Sequence, residues 1–177
     1  MDEYMMGIAL AVRARANCVG NRVGAVIALK SRIVSTGYNG TPSGMRNCAD
    51  GGCERCAQRD RFPGGTGYDV CICVHAEQNA LLAAARFGIA VEDALIFTTM
   101  RPCFGCSKEL LQAKLAGVRY LHDWSHPDAG LQAEYERVQA QFALGVKAVL
   151  VADLDADWAV SRVRRSDTDP GHSIPGR

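Results

Sequence analysis

The sequence predicts an α/β fold in which a mixed β-sheet is covered by helices. Three observations lead there. Two short β-branched runs, residues 23–29 and 32–38, are separated by Lys30-Ser31 and read as an opening hairpin. After them, helical and strand-like segments alternate, which places strands side by side with helices as crossovers. The resulting order, α-β-β-α-β-α-β-α-β, fits one compact unit of 177 residues.

Each element has a local cause. Residues 4–16 carry Ala, Met and Arg with apolar residues at helical spacing. Asn39-Gly40-Thr41-Pro42-Ser43-Gly44, after the hairpin, is a dense set of turn formers. From there to Asp69 the chain is rich in Gly, Asp, Arg and Cys without clear periodicity, and a loop this long within a compact domain points to function or disorder. Residues 75–87 form a helix through Ala and Leu, with Gly88 as its stop. Residues 94–99 are a strand. Pro102 suits the first turn of a helix running to about Leu115, which Ala116-Gly117 ends. A strand over 118–122, a helix over 131–142 and a strand over 147–151 complete the order. The expected domain spans 1–160 with a cysteine-rich insert at about 48–73. Residues 161–177, rich in Arg, Asp, Pro and Gly, are expected to be a flexible tail.

Composition excludes several classes. With 48% hydrophobic and 22% charged residues the chain reads as globular, and a formal net charge of +1 gives no strong field for nucleic acid or a membrane. Asp2 and Glu3 replace the basic start of a secretory signal, and no apolar stretch approaches the roughly 20 residues of a membrane span. The expected compartment is the cytoplasm. Eight cysteines in a reducing compartment then indicate metal ligation rather than disulfides.

Two motifs carry chemistry: His75-Ala76-Glu77 and Pro102-Cys103-Phe104-Gly105-Cys106. Each opens a helix, whose N-terminal dipole favours thiolates. One His and two Cys supply three zinc ligands and leave a fourth position for water, the pattern of a catalytic site. Zinc lowers the pKa of such a water towards about 7. Glu77 stands two residues from His75, close enough to serve that water as a proton carrier without being a ligand. A lone Cys-x-x-Cys could equally be redox-active or structural. Both motifs in this order resemble the signature of zinc nucleobase deaminases.

Further segments narrow the resemblance: Arg22-Val23-Gly24-Ala25-Val26, Ser35-Thr36-Gly37-Tyr38-Asn39-Gly40-Thr41-Pro42 and His75-Ala76-Glu77-Gln78-Asn79-Ala80. Over roughly residues 5–152 the sequence resembles deoxycytidylate (dCMP) deaminases of the cytidine deaminase superfamily. The Gly-Tyr-Asn-Gly segment followed by Pro separates that group from nucleoside, tRNA and riboflavin-pathway deaminases. The resemblance implies a cytidine deaminase-like α/β/α sandwich with a five-stranded mixed sheet, and hydrolytic deamination of dCMP to dUMP and ammonia by zinc-activated water. It implies His75, Cys103 and Cys106 as zinc ligands, Glu77 as the proton shuttle and Asn39 as a contact to the substrate's sugar and base. It further implies a homo-hexamer and a dCTP/dTTP effector site near the Gly-Tyr-Asn-Gly loop, for which Thr41, Arg46 and Arg86 are candidates.

The same positions have plainer readings. Asn39-Gly40 alone is a good turn. Asn79 could bridge loops, and Arg86 suits the end of a helix through the dipole. Arg22 is a candidate partner for a 5′-phosphate, which a guanidinium meets with two bonds, or a solvated strand residue. His122-Asp123-Trp124-Ser125-His126-Pro127 follows a strand end and is a candidate for the substrate mouth or a plain surface turn.

Cys48, Cys53, Cys56, Cys71 and Cys73 surround the long loop and suggest a second, closed zinc site. The resemblance matches Cys18, Cys48 and Cys73 to the second zinc of some dCMP deaminases, with Cys56 as fourth ligand. Cys53, Cys56, Cys71 and Cys73 form a competing set of two short pairs. Six cysteines exceed four ligands, so two are spare or a further ion is present. The insert departs from the shorter pattern of many bacterial members. Alternatives to dCMP deamination are a deaminase of dCTP, CMP or a modified dCMP, a nucleic-acid base deaminase, which would require a basic face, and a non-catalytic zinc or nucleotide-binding module.

Overall fold

The computed structural model describes residues 1–62 and 66–159. The helices are α1 (Asp2–Arg13), α2 (Glu54–Ala57, one turn), α3 (Ala76–Arg86), α4 (Phe104–Gln112) and α5 (Ala129–Gln139). The strands are β1 (Gly24–Leu29), β2 (Arg32–Tyr38), β3 (Leu95–Met100), β4 (Gly117–His122) and β5 (Val146–Ala148). They form a five-stranded sheet in the order β2-β1-β3-β4-β5. β1 is antiparallel to both β2 and β3, while β3, β4 and β5 run parallel. The sheet is therefore mixed, as its hairpin start and helical crossovers predict. The expected tail lies outside the described residues.

Strand periodicity divides the core. On β1, Ala25 and Ile27 point to one face and Val26 and Ala28 to the other, since side chains alternate along a strand. Ala25 and Ile27 pack with Ile96, Val118, Leu110 and Ala80 beneath α3 and α4. Val26 and Ala28 pack with Phe97, Val149 and the α1 residues Met5, Met6 and Ala9. With helices on both faces, the three-layer expectation is met.

Two glycines set how closely those layers approach. A Cβ on Gly24 would lie 2.2 Å from the Ala9 carbonyl oxygen, and one on Gly37 would lie 2.2 Å from the Ala76 oxygen and 2.4 Å from the Ala80 nitrogen. Here α1 and α3 rest directly on β1 and β2, an approach that only a residue without a side chain permits. The hairpin closes as expected at Lys30-Ser31, both with positive φ (49° and 63°), which matches the twist of the paired strands.

Element ends moved where tertiary contacts intervene. α1 starts at Asp2, with acidic residues in its first turn, and stops at Arg13 rather than 16. Arg13 is 2% exposed and makes two hydrogen bonds to Asp153, at 2.6 and 2.7 Å. α4 ends at Gln112, before Lys114 takes a positive φ of 59°. α5 begins earlier than expected because Asp128 caps it through the Leu131 N–H. β5 ends at Ala148, after which the chain turns to bring Asp153 to Arg13 and His122. Among its described residues the long insert contains α2 and short 3-10 turns, gathered around buried Cys18, Cys48, Cys53, Cys56 and Cys73.

Candidate active site

His75 and Cys103 are the N-caps of α3 and α4. The two helix N-termini converge. Gln78 locks the junction: its Oε1 accepts from the His75 backbone N–H at 2.9 Å, and its Nε2 donates to Glu109 on α4 at 2.9 Å. His75 Nδ1 lies 3.5 Å from Cys103 Sγ and 3.4 Å from Cys106 Sγ. These three donors fit one ion. Ligand atoms about 2.0–2.3 Å from a tetrahedral zinc stand roughly 3.5 Å apart. The three predicted ligands are thus brought together.

Glu77 follows in the first turn of α3, 4% exposed. Thr98 Oγ1 on β3 donates to its Oε1 at 3.2 Å, and the Cys106 thiol lies 3.7 Å from its Oε2. Burial raises the carboxyl above its ordinary pKa, partly countered by the His75 charge. Burial lowers the basicity of His75, but its hydrogen bond and charge interaction with Cys103 outweigh that and raise it to about 9. The bond from Cys106 lowers Cys103 to about 4, while its partner Cys106 is pushed up.

A cavity of about 100 Å³ leads to Glu77, with Asn21, Val23, Asn39, Arg101 and Trp124 in its wall. A groove of about 1100 Å³ lies on the other side of His75 and Cys103, walled by Leu81, Leu82, Ile89, Phe104 and Leu131 of α3, α4, α5 and the chain beside them. Glu77 lines the small cavity and not the groove, so the chemistry belongs to the former.

The other predicted residues sit as follows. Asn39 is 7% exposed; its Oδ1 accepts from the Val23 N–H and its Nδ2 donates to the Asn21 carbonyl, both at 2.8 Å. One N–H and one lone pair of its amide remain for a ligand. Arg22 stacks over the Trp158 ring at 4.8 Å and is not in the cavity wall. Thr41 follows Gly40, which pairs with Val74 just before α3, and its hydroxyl is shielded with no partner among the described residues. Arg46 is exposed and lies against Gly51. Arg86 is at the opposite end of α3, about 15 Å along its axis, so it does not join Thr41 and Arg46 within one chain. Asn79 bridges to the Tyr38 carbonyl at 2.7 Å, as its plainer reading expects.

Sequence reasoning missed Arg101, Arg55 and Gln139. Arg101 lines the cavity, donates to Gln139 at 2.9 Å and to Asp123 at 3.2 Å, and lies over Tyr135. Gln139 Nε2 in turn donates to the Pro102 carbonyl at 3.3 Å and to Ser107 at 3.0 Å, and Tyr135 donates to the same carbonyl. Thus α5 clamps the turn that presents Cys103. Position immediately before Pro102-Cys103 was the one available clue to Arg101. Trp124 does line the cavity, as the 122–127 segment suggested.

Comparison with known proteins agrees with this geometry. Residues 1–122 match the family model of the cytidine and deoxycytidylate deaminase zinc-binding region. The chain belongs to the cytidine and deoxycytidylate deaminase family. Among its relatives, the deoxycytidylate deaminase of Schizosaccharomyces pombe is 39% identical over 135 residues, covering 75% of this chain and 41% of that one. The deoxycytidylate deaminase of Saccharomyces cerevisiae is 40% identical, covering 67% of this chain and 36% of its own. This chain therefore spans about two fifths of the yeast proteins' length, whereas the match covers 92% of the Mycobacterium phage D29 deoxycytidylate deaminase, at 37% identity. In three dimensions the chain is similar to the dCMP deaminase of cyanophage S-TIM5 in complex with dCMP and dUMP. The TM-score is 0.63 at 28% identity, over 83% of this chain and 95% of that one.

Proposed function

We propose that this chain catalyses hydrolytic deamination of dCMP to dUMP and ammonia, supplying thymidylate synthesis. The observation that carries it is Glu77, buried at 4% exposure in the wall of a cavity whose edge is formed by His75 and Cys103. His75, Cys103 and Cys106 would hold a zinc ion, which when bound would acidify a water towards neutral pH. Glu77 would take one proton from the attacking water and deliver it to N3 of the cytosine ring, then carry the water's second proton to the departing amine, which leaves as ammonia. Thr98 fixes the carboxylate, and the N-terminal turn of α3 holds it at the reacting edge. Asn39 orients the sugar and base with its remaining amide valences, and also pins the 21–23 segment that walls the cavity. Arg22, read from sequence as a phosphate partner, stacks on Trp158 outside the cavity wall, whereas Arg101 and Arg55 present guanidinium groups in that wall.

A second, structural zinc belongs to the cysteine cluster, with Cys18, Cys48, Cys56 and Cys73 within ligand range of one another. An effector such as dCTP or dTTP would meet Thr41 and Arg46. A homo-hexamer or other homo-oligomer is inferred, with the apolar groove beside the site as its support. Eight free thiols suit the reducing cytoplasm. No helix among the described residues is long and apolar enough to cross a membrane.

The test is ammonia release from dCMP, CMP, dCTP, cytidine and deoxycytidine, each with and without added dCTP. Turnover of dCMP well above the others is expected. Preference for a triphosphate or ribonucleotide would leave the zinc chemistry and overturn the substrate assignment. No turnover of any of the five by zinc-loaded protein would overturn the reading.

A further inference from the structure

The two ligand sets that the sequence leaves in competition are both assembled in the structure. The sulfurs of Cys18, Cys48, Cys56 and Cys73 lie within 4.8 Å of one another, and so do those of Cys53, Cys56, Cys71 and Cys73. The tetrads share one edge, Cys56–Cys73. We propose that the insert holds a binuclear zinc–thiolate centre, two zinc ions on six cysteines, with Cys56 and Cys73 bridging. Cys18 and Cys48 are terminal on one ion, Cys53 and Cys71 on the other. The inference deepens the single structural zinc proposed above and rests on that cluster being a metal site.

Spacing supports it. Four sulfurs about 2.3 Å from a tetrahedral zinc are about 3.8 Å from each other. The observed separations are 3.7 Å for Cys18–Cys56 and 3.9 Å for both Cys53–Cys71 and Cys56–Cys71. A disulfide needs about 2.05 Å. The spacing thus matches shared coordination on both sides of Cys56, not on one side alone.

Stoichiometry supports it as well. One ion in either tetrad leaves two cysteines of the other without a role, although Cys53 is fully buried and faces Cys71. Two ions use all six thiols. Each short motif, Cys53-x-x-Cys56 and Cys71-x-Cys73, then supplies one terminal and one bridging ligand.

Charge is also provided for. Six thiolates and two divalent ions leave a net negative charge. The Val19 N–H approaches Cys48 Sγ at 3.4 Å, and backbone N–H groups of Cys56 and Ile72 point at the Cys53 sulfur. Arg55, 6% exposed, shares a cavity wall with Cys18, Cys56, Cys71 and Cys73, and its Nε has no hydrogen-bond partner among the described residues. Among the described residues, Val19 is the hydrophobic side chain other than cysteine that packs on this cluster. Metal binding therefore supplies the folding energy of this segment. Cys73 is two residues before His75, so the centre also fixes the strand-like approach to the catalytic ligand, where Val74 pairs with Gly40.

Zinc is counted by native mass spectrometry on the whole chain, and the protein is then loaded with 113Cd for NMR. Three metals per chain are expected, with two all-thiolate cadmium resonances coupled to each other through shared sulfurs and a third, uncoupled one from the His75 site. Two metals per chain, with Cys53 and Cys71 alkylated in the folded protein, would overturn the binuclear centre and leave the single structural zinc. One metal per chain, lost in Cys103→Ala, would overturn both. Cys53→Ser with Cys71→Ser should remove one metal of three and leave the other two bound. The wild-type count and the cadmium coupling decide the matter if that variant does not fold. Absence of dCMP turnover in protein carrying three metals with that coupling would uphold the centre and refute only the proposed activity.

Discussion

At the scale of single residues, two buried carboxylates have opposite tasks. Burial raises the Glu77 carboxyl above its ordinary pKa, and Thr98 is its hydrogen-bond donor. Glu77→Gln keeps the shape and removes the proton carrier. Turnover of dCMP should fall by about 10²–10⁴-fold, the range of general acid–base catalysis, with zinc content unchanged. Asp153 is held ionised. Burial alone would raise it, but Arg13 and His122 lower it from 3.8 to about 2. As pH falls, the unfolded chain takes up this proton first. The stability contributed, about 2 kcal/mol, is complete above about pH 4 and is lost as pH falls through about 2. Asp153→Asn should cost about 3–5 kcal/mol at pH 7, because it leaves Arg13 buried without its anion. The gap between wild type and variant in urea titrations should narrow between pH 4 and pH 2. A gap independent of pH would refute the assignment.

At the scale of elements, α3 is the component that joins fold to chemistry. It rests on Gly37 of β2 and carries His75 and Glu77 at its N-terminus. Gly37→Ala forces a methyl against the Ala76 and Ala80 backbone, so the helix must shift. Gly24→Ala makes the same demand of α1, which bears no metal ligand. Both should lose about 1–3 kcal/mol by overpacking. Gly37→Ala should lower kcat far more than Gly24→Ala when calorimetry and turnover are measured on the same preparations. Equal losses of kcat would mean that α3 placement is not what limits the site.

At the scale of the molecule, exposed apolar side chains cluster along the groove beside the site, among them Leu82 at 59% and Leu131 at 55% exposure. Burying them against another copy is the favourable outcome expected of a patch this apolar. Leu82→Glu with Leu131→Glu should reduce the assembly mass in light scattering after gel filtration without altering zinc content. An unchanged oligomer would place the interface elsewhere.

The sequence by itself determined the sheet's mixed character, the order of its elements, and the grouping of His75, Cys103 and Cys106 with Glu77 beside them. All of these are local signals: β-branched runs, helical periodicity, and motifs confined to a few residues at helix starts. The tertiary structure decided what depends on distant partners. It ended α1 at Arg13 through Asp153, 140 residues away, and used α5 to clamp the Pro102 turn through Gln139. It placed Arg101 in the cavity wall and Arg22 against Trp158. It also showed the two cysteine sets to be one cluster with a common edge. Spacing along a chain says which thiols are near neighbours in a loop. Which sulfurs belong to both sets depends on how Cys18, Cys48 and the 53–73 segment fold onto each other, and that is set by contacts between segments far apart in sequence.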